Sequence, residues 1–332
     1  MSPYDELDVV GVGNAIVDVI AHADDRFLVE YGMTKGAMML IDEQQAERIY
    51  GEMGSAVITS GGSAGNTIAG IASLGGKTGF IGKVRDDLLG RAFRHDITAV
   101  GAVFPTAPAR YGPATARCLI LVTPDAQRTM NTYLGASVNL APEDVDPDFV
   151  RAAKVTYMEG YVYDPPLAQE AVRLAAGIAH EAGRKVSLAL SDVFCVERHR
   201  DAFLDLVHHH IDLLFANEAE IKALYRTDDL DVALRLVRSA TAIAAITRGP
   251  RGSIVLAEGS TLEIEAAPVE RVVDTTGAGD LYAGGFLYGL TNGASPAACG
   301  RLGSLAAAEI ISHVGARPET PLREYVAAAQ PF

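Results

Sequence analysis

The 332-residue chain has little positive charge and no long apolar run. Lysine and arginine together number 28, against 42 aspartates and glutamates, and the net charge is −14. A nucleic-acid-binding surface is usually basic, so this acidic balance argues against a nucleic acid as partner. No apolar run approaches the roughly 18 residues that a membrane-spanning helix needs, so we expect no membrane association.

Cysteines are few, and the chain begins without a secretory signal. Cys118, Cys195 and Cys299 lie far apart and form no CxxC pair. This spacing indicates neither a disulfide framework nor a zinc site, and reduced, buried thiols are the simpler interpretation. Residues 1–8 are acidic and lack the basic and apolar segments of a signal peptide, so we expect a cytoplasmic protein.

Apolar, strand-like runs alternate with helical stretches over most of the chain. This alternation predicts βαβ units and an α/β fold, in which a mostly parallel central sheet carries helices on both faces. The predicted strands are 9–12, 155–158, 186–190, 213–216, 242–247 and 253–256, and the predicted helices between them are 166–182, 197–209, 218–225 and 229–239.

Two stretches, from about residue 20 to 59 and from about 111 to 134, interrupt this alternation with short runs typical of antiparallel strands. Neither stretch is long enough for a core of its own. We therefore expect a small β-rich lid within a single unit. The predicted boundaries are 17–61 and 111–137 for the lid and 1–16, 62–110 and 138–332 for the large α/β domain.

The strongest chemical signal is the sequence DTTGAGD at 274–280, which leads directly into an apolar helical segment. The first amides of a helix lack intrahelical acceptors, so the N–H groups around Gly277, Ala278 and Gly279 can surround an anion. Asp280 can accept a proton from a hydroxyl beside them, and the combination fits phosphoryl transfer to an alcohol. In isolation, a plain helix start with an acidic first turn fits equally well.

Four motifs, in this order, resemble those of the ribokinase-like (phosphofructokinase-B-type) kinases. They are GGSAGNT at 61–67, NEAE at 217–220, TRG at 247–249 with a glycine at 252, and DTTGAGD at 274–280. The resemblance spans essentially the whole chain. It implies a three-layer ribokinase-like fold with a lid, and an ATP-dependent kinase that uses Mg²⁺ and, in some members, K⁺.

The resemblance also implies roles on the nucleotide side. Asp280 is the expected base, the amides of 277–279 the anion hole, and Arg248 an added positive charge. Glu220 acts on Mg²⁺ through water, and Asp274 contributes to a monovalent-cation site. The residues expected to bind the nucleotide are Asn217, Glu220, Thr247, Arg248, Gly249, Gly252, Gly277, Gly279 and Ser304. Without the family context, 217–220 also fits a helix N-cap with an acidic first turn.

On the acceptor side, a carboxylate can accept two hydrogen bonds from a vicinal diol, which makes Asp18 a suitable ribose ligand. Apolar or aromatic walls would hold a purine. The residues expected to bind the acceptor are Asn14, Asp18, Gly61, Gly62, Ser63 and Asn66, with Phe194, Tyr133 and Val162 as walls; ordinary core or lid packing fits those three equally well.

Stretches at 9–18, 24–33 and 212–218 resemble the adenosine kinases within this family. That likeness implies phosphorylation of the 5′-hydroxyl of a nucleoside, with adenosine first. The SAGN that follows the two glycines and the serine at 304 depart from the pattern of that branch. A sugar kinase for ribose or fructose and a catalytically silent nucleoside-binding regulator therefore stay open, as does the choice between monomer and homodimer.

Overall fold

The computed structural model describes residues 4–125 and 127–329, which form two β-sheets and twelve α-helices. The strands are β1 (Leu7–Val12), β2 (Ile16–His22), β3 (Met38–Leu40), β4 (Ala56–Ser60), β5 (Thr78–Ile81), β6 (Ala116–Val122), β7 (Arg128–Tyr133), β8 (Ala153–Glu159), β9 (Lys185–Ala189), β10 (Leu213–Asn217), β11 (Ile243–Thr247), β12 (Ser253–Ala257) and β13 (Ser260–Ile264). The helices are α1 (Asp25–Glu30), α2 (Glu43–Glu52), α3 (Ser63–Ser73), α4 (Leu88–Ala99), α5 (Pro147–Ala152), α6 (Pro166–Glu181), α7 (Val193–His209), α8 (Glu218–Tyr225), α9 (Leu230–Ala240), α10 (Ala278–Thr291), α11 (Pro296–Ile310) and α12 (Leu322–Ala329).

The larger sheet has the strand order β13-β12-β11-β10-β9-β8-β1-β5, and its strands from β11 to β5 are parallel. The predicted mostly parallel sheet is therefore confirmed. The antiparallel end is a hairpin whose two-residue turn, Glu258 and Gly259, has positive φ at both positions. Such a turn matches the twist of the strands it joins.

Helices cover both faces of this sheet because its central strands are apolar on both sides. In β1, Val10 and Val12 pack into one buried cluster, while Val9 packs into another on the opposite face. The first cluster takes side chains from α5 to α9, and the second takes them from α3, α4, α10 and α11. The result is the three-layer arrangement that the sequence predicts.

The smaller sheet has the order β3-β7-β6-β2-β4 and forms the lid. The expectation of antiparallel strands is wrong for two of its pairs, since β2 pairs with β6 and β3 with β7 in parallel. Each of these pairs joins strands from the two separate insertions, so no tight hairpin fixes their direction. On the outer face, α1 and α2 pack on this sheet through Leu28 and Ile49, against Val19 and Leu119.

One helix begins earlier than predicted. The α7 helix begins at Val193 rather than at 197, because the Asp192 carboxylate accepts the Cys195 N–H at 2.6 Å and caps it. This start places Phe194 in the first helical turn, at the edge of the sheet. Of the helices in 4–125 and 127–329, none is long and apolar enough to span a membrane.

Candidate active site

A cavity of about 740 Å³ lies between the lid and the carboxyl ends of the main-sheet strands. The N-terminus of α10 and the loop before it form one wall, and the ends of β8, β9 and β10 form the floor. Ligands of open α/β sheets bind at this edge, outside the carboxyl ends of the strands. The lid closes the remaining side with the inner face of its sheet.

Asp280 is held at the base of the cavity by two side chains of α3. The Ser63 hydroxyl donates to Oδ1 at 2.7 Å, and the Asn66 amide donates to Oδ2 at 2.9 Å. Burial raises the pKa of Asp280, while these hydrogen bonds and the charge of Arg317 act in the opposite direction. The two hydrogen bonds therefore orient the carboxylate toward the cavity, where it can accept a proton.

The predicted anion cradle lies at the start of α10, one residue before Asp280. Gly277 has a φ of 78°, and a Cβ there would lie 3.0 Å from that of Ala316, so the turn needs glycine. The N–H of Ala278 is already donated to the Thr275 carbonyl at 3.2 Å. The predicted contribution of the Ala278 amide therefore does not fit, whereas the amides of Gly279 and Asp280 lie at the positive end of the helix, where an anion is favoured.

The side of the cavity predicted to bind the acceptor, called the acceptor side below, contains Asp18 of β2. A Cβ on Gly61 would lie 2.4 Å from Asp18 Oδ2, so Gly61 lets this carboxylate lie directly against backbone, although Gly61 itself does not line the cavity. Gly62 begins α3 with a φ of 81°. Burial raises the pKa of Asp18 to about 6, and the charges of Arg128 and Arg317 partly offset the effect.

Two buried amide atoms beside these groups have no hydrogen-bond partner. They are Nδ2 of Asn14 and Oδ1 of Asn66, and both side chains line the cavity. Buried polar atoms are rarely left unpaired, so each indicates a ligand group. One atom is a donor and the other an acceptor, as hydroxyl groups of a ligand require.

Glu159, which the sequence analysis missed, organises the acceptor side from below. Its carboxylate accepts the N–H groups of Asn14 at 2.8 Å and Ala64 at 2.6 Å, joining the end of β1 to the start of α3. It is buried, and burial raises its pKa to about 7. The available signal was the glutamate that directly follows the predicted strand 155–158.

Arg128 of the lid contacts Asp274 of the large domain. The pair is an ion pair with both side chains about nine-tenths buried, and Arg128 also lies 3.2 Å from the Thr276 hydroxyl. Burial alone would raise the pKa of Asp274, but hydrogen bonds from Gly315 and Thr276 and the charge of Arg128 hold the pKa below its usual range. This pair holds the lid against the large domain.

The prediction that Asp274 serves a monovalent cation does not fit this arrangement. Its two oxygens accept the Thr276 N–H at 3.0 Å, the Thr276 hydroxyl at 2.7 Å and the Gly315 N–H at 3.0 Å, in addition to Arg128. Donors thus surround the carboxylate, and the guanidinium occupies the place where a cation would be bound.

Asn217 at the end of β10, Glu220 in the first turn of α8 and Thr247 at the end of β11 all line the cavity. Asn217 caps α8 by accepting the Glu220 N–H at 2.8 Å, and Glu220 accepts the Asn217 N–H at 2.9 Å and its side-chain amide at 2.5 Å. Burial raises the pKa of Glu220 to about 7. Residues 217–220 therefore do form a helix N-cap, as the alternative interpretation of this motif predicts.

These carboxylates do not form a metal cage. Within 4–125 and 127–329, no group of three or more His, Cys, Asp or Glu residues is arranged to hold a metal ion. Glu220 is also committed to Asn217 through both oxygens. The side chains therefore fit a Mg²⁺ that keeps its water and phosphate ligands, which is the usual preference of this ion.

Four residues expected to contact the nucleotide lie outside the cavity. Arg248, expected to add positive charge, lies away from the cavity, with its guanidinium 3.4 Å from Glu263 and 3.3 Å from the Arg251 carbonyl. Gly249 and Gly252 have positive φ and form the tight turn into β12. The Ser304 hydroxyl accepts the Ala267 N–H and donates to the Glu265 carbonyl.

The predicted walls are only partly right. Phe194 is 75% exposed and lies at the rim of the cavity. Tyr133 and Val162 do not line the cavity, because Tyr133 packs in the outer cluster of the lid and Val162 in the core below the sheet. The lid supplies the apolar wall instead, through Ile16, Met38, Leu40, Ile120, Met130 and Leu134.

Comparison with known proteins gives this cavity its context. The chain matches the pfkB family carbohydrate kinase model over residues 26–323. The fold is similar to that of an adenosine kinase from Sinorhizobium meliloti, with 52% identity, a TM-score of 0.92, and coverage of 98% of this chain and 100% of that one. A protein from Rhizobium etli described as a probable sugar kinase is 50% identical, with a TM-score of 0.92 and coverage of 98% and 99%.

A more distant structure is that of Anopheles gambiae adenosine kinase in complex with P1,P4-di(adenosine-5) tetraphosphate. It has 26% identity, a TM-score of 0.82, and coverage of 94% of this chain and 97% of that one. The family predicted from the four motifs is thus confirmed over most of the sequence. This chain belongs to the pfkB family of carbohydrate kinases, which use ATP.

Proposed function

We propose that this kinase transfers the γ-phosphoryl group of ATP to the 5′-hydroxyl of adenosine, with AMP and ADP as products. The observation that carries the proposal is the Asp280 carboxylate, oriented by Ser63 and Asn66 between the Asp18 side of the cavity and the first amides of α10. A base, an anion site and an acceptor carboxylate at one cavity are what this reaction needs.

The ribose of the acceptor fits the polar side of the cavity. The two oxygens of Asp18 accept hydrogen bonds from the 2′- and 3′-hydroxyls, as a carboxylate does with a vicinal diol. The unpaired atoms Asn14 Nδ2 and Asn66 Oδ1 supply a donor and an acceptor for the same hydroxyls and the 5′-hydroxyl. This pose directs the 5′-oxygen toward Asp280.

Asp280 accepts the proton of the 5′-hydroxyl as that oxygen forms its bond to the γ-phosphorus. The bond from the γ-phosphorus to the bridging oxygen breaks, and ADP departs with the electron pair. The amides of Gly279 and Asp280 donate to the phosphoryl oxygens, whose negative charge is favoured at a helix N-terminus. Mg²⁺, when bound, would neutralise charge on the phosphates, and Glu220 is the acidic side chain that would hold it through water.

The base of the nucleoside fits the apolar inner face of the lid. Met38, Leu40 and Met130 offer flat, adaptable contacts for a purine ring. A free sugar would leave this half of the cavity without a partner, which is why adenosine is preferred over ribose or fructose. The 52% identical Sinorhizobium meliloti adenosine kinase supports the same choice.

Closure of the lid excludes water, which otherwise competes as phosphoryl acceptor. The Arg128–Asp274 pair provides a contact that exists only when the lid lies on the large domain. Acceptor bound beneath the lid sheet would therefore favour the closed state before transfer. ATP enters along the side lined by Asn217 and Thr247.

The test is a coupled assay of ADP release with MgATP and five acceptors: adenosine, inosine, 2′-deoxyadenosine, ribose and fructose. We expect the highest kcat/KM for adenosine, with a loss for 2′-deoxyadenosine, which lacks one hydroxyl for Asp18. Turnover with a free sugar but not with adenosine would make the protein a sugar kinase. Binding of adenosine by calorimetry without turnover of any acceptor would indicate a silent nucleoside-binding regulator.

A further inference from the structure

Arg317 lies in a short segment that connects the two halves of the site. The Gly315 N–H donates to Asp274, and Ala316 packs against Gly277 at the anion cradle. Arg317 then extends to the acceptor side of the cavity, where its Nη2 lies 3.5 Å from the Gly61 carbonyl. Three consecutive residues thus join the nucleotide-side loop to the acceptor-side loop.

The fold leaves a dedicated space for this guanidinium. A Cβ on Gly65 would lie 3.3 Å from Arg317 Nη2, whereas its next contact, with Phe93, would be at an ordinary 3.8 Å. Gly65 precedes Asn66, which donates to Asp280, and Gly61 lies directly against Asp18. Arg317 therefore touches the backbone that carries the partners of both functional carboxylates.

The charge of Arg317 is not used in an ion pair. No salt bridge joins it to any of residues 4–125 and 127–329, and its buried Nε has no hydrogen-bond partner. The carboxylates it faces are Asp18, Asp280 and Asp96. Burial lowers the pKa of Arg317 to about 10, which leaves it charged at neutral pH. Burying a cation without a contacting anion costs free energy unless negative charge nearby stabilises the cation.

We propose that Arg317 is a positioning residue of the reaction, which holds the Gly61–Gly65 backbone in place and supplies positive charge behind Asp18 and Asp280. This inference rests on the proposed function, because it assigns Arg317 a role in the ionisation of the base and of the acceptor carboxylate. Arg317 contacts neither of these carboxylates directly and acts through the field and the backbone.

Other groups near Asp280 also affect its pKa, and Arg317 acts in addition to them. Asp280 interacts electrostatically with Arg317, and Ser63 and Asn66 donate hydrogen bonds to it. The acidic and phenolic groups around it are Asp18 on β2, Tyr157 and Glu159 on β8, Tyr161 after β8 and Glu220 on α8. Arg317 thus opposes an otherwise acidic surrounding, and its removal raises the pKa of Asp280.

The first test compares the wild type with Arg317→Met, of similar length but neutral, and Arg317→Lys, which keeps the charge. For each, kcat and KM for adenosine are measured from pH 5 to 9. We expect Arg317→Met to lose about 10-fold or more in kcat/KM and to shift the acidic limb upward by about half a pH unit or more. The acidic limb of Arg317→Lys should lie within about half a pH unit of the wild-type limb.

An acidic limb that stays in place in a folded Arg317→Met enzyme would overturn the proposal, since a merely structural role changes stability but not the ionisation of the base. Absence of wild-type turnover with adenosine would instead refute the proposed function. Thermal melting of each variant shows whether it is folded. A matched control is Arg94→Met, because Arg94 binds the Phe104 and Thr106 carbonyls away from the cavity.

A second test restores the missing charge chemically. Arg317 also lines a separate cavity of about 480 Å³, on the far side of the Gly61–Gly65 segment. Arg317→Ala should therefore open a path for guanidinium ion, and millimolar guanidinium should restore part of kcat, whereas methylammonium should restore less. Equal activity with and without guanidinium in a folded Arg317→Ala enzyme would count against the proposal.

Gly65→Ala offers the complementary change, since it leaves the charge but displaces the guanidinium by a few tenths of an ångström. We expect a smaller loss of kcat than in Arg317→Met. Because the new methyl meets only Arg317 closely, its effect should largely disappear in the Gly65→Ala/Arg317→Met double variant. Additive losses in this double-mutant cycle would contradict the proposed contact.

Discussion

The acceptor half and the nucleotide half of the cavity use their sequence motifs in different ways. In the acceptor half, motif side chains face the cavity and bind one another, as Ser63 and Asn66 do with Asp280. On the nucleotide side, Asn217, Glu220 and Thr247 line the cavity, but Arg248 and Ser304 lie outside it and bind their own loops, at Arg251 and Glu265.

This difference separates two reasons for a motif to exist. A side chain in the acceptor half acts on the ligand or the base, so changing it alters chemistry directly. In the nucleotide half, backbone conformation is what the motif specifies: a Cβ on Gly252 would lie 1.9 Å from the Ile264 carbonyl. Substitutions of side chains that line the cavity should therefore affect turnover more than substitutions of side chains outside it, such as Arg248 and Ser304.

The largest effect should come from Asp280→Asn. The amide keeps the size of the side chain but cannot accept the proton of the hydroxyl, so kcat should fall by about 10²–10⁴-fold. Steady-state ADP release at saturating adenosine and MgATP measures the loss. Adenosine binding, followed by calorimetry, should change far less.

Retention of wild-type kcat by Asp280→Asn would mean that another group removes the proton. Asp164→Asn is a suitable control, because Asp164 also lines the cavity but pairs with Arg198 and His199 at its rim. Its kcat should stay within a few-fold of the wild type. A large loss in both variants would point to general electrostatics rather than to a base.

The next largest effect should come from Arg128→Met, which removes the contact between the lid and the large domain. Breaking a buried ion pair by deleting one partner typically costs about 3–5 kcal/mol, because the other charge stays buried. Here Asp274 keeps its Thr276 and Gly315 donors, so part of that cost is spared. We expect KM for adenosine to rise by about 10-fold or more, and hydrogen exchange in β2 and β6 to increase.

Arg117→Met provides the matched control for the lid contact. Arg117 is also a buried lid arginine, but its partner Glu47 lies in the lid as well, at 2.6 Å. Its loss should lower the stability of the lid without a specific rise in KM. Equal KM changes in the two variants would contradict the assignment of Arg128–Asp274 as the closing contact.

A third effect, on stability rather than chemistry, should come from Glu159→Gln. One oxygen becomes an NH₂ group that faces a backbone N–H of Asn14 or Ala64, leaving that buried donor unsatisfied at a cost of about 1–3 kcal/mol. Urea denaturation measures the free energy of unfolding. The exposed Glu170→Gln should leave this free energy unchanged, and a stable Glu159→Gln would show that the carboxylate is dispensable.

The sequence predicted well what depends on local pattern. The parallel sheet followed from apolar strands alternating with helices, and Asp280 followed from a glycine turn at a helix start. Asn66 and Ser63 were expected near the acceptor, but their bonds to Asp280 join residues more than 200 positions apart. No local pattern specifies such a pairing.

What the sequence could not show depends on contacts between distant elements. Glu159, Arg128 and Arg317 have no motif, and each acquires its role from residues at least 95 positions away. Arg248 shows the opposite case, since its motif predicts a turn, whereas the position of its side chain, at Glu263 and the Arg251 carbonyl, depends on contacts that the motif does not specify.

The smallest effect, and the sharpest test of the comparison, should come from Arg248→Met. The Arg248 side chain is mostly buried, but its partner Glu263 is largely exposed to solvent, which limits this ion pair to about 0–1 kcal/mol, and the guanidinium lies outside the cavity. We expect kcat within about 3-fold of the wild type and only a modest rise in KM for ATP, since the turn itself is held by the Arg248 N–H and the Gly252 carbonyl at 2.7 Å. A loss comparable to that of Arg128→Met would mean that the Arg248 side chain swings into the cavity when ATP binds, and the two halves would then work alike.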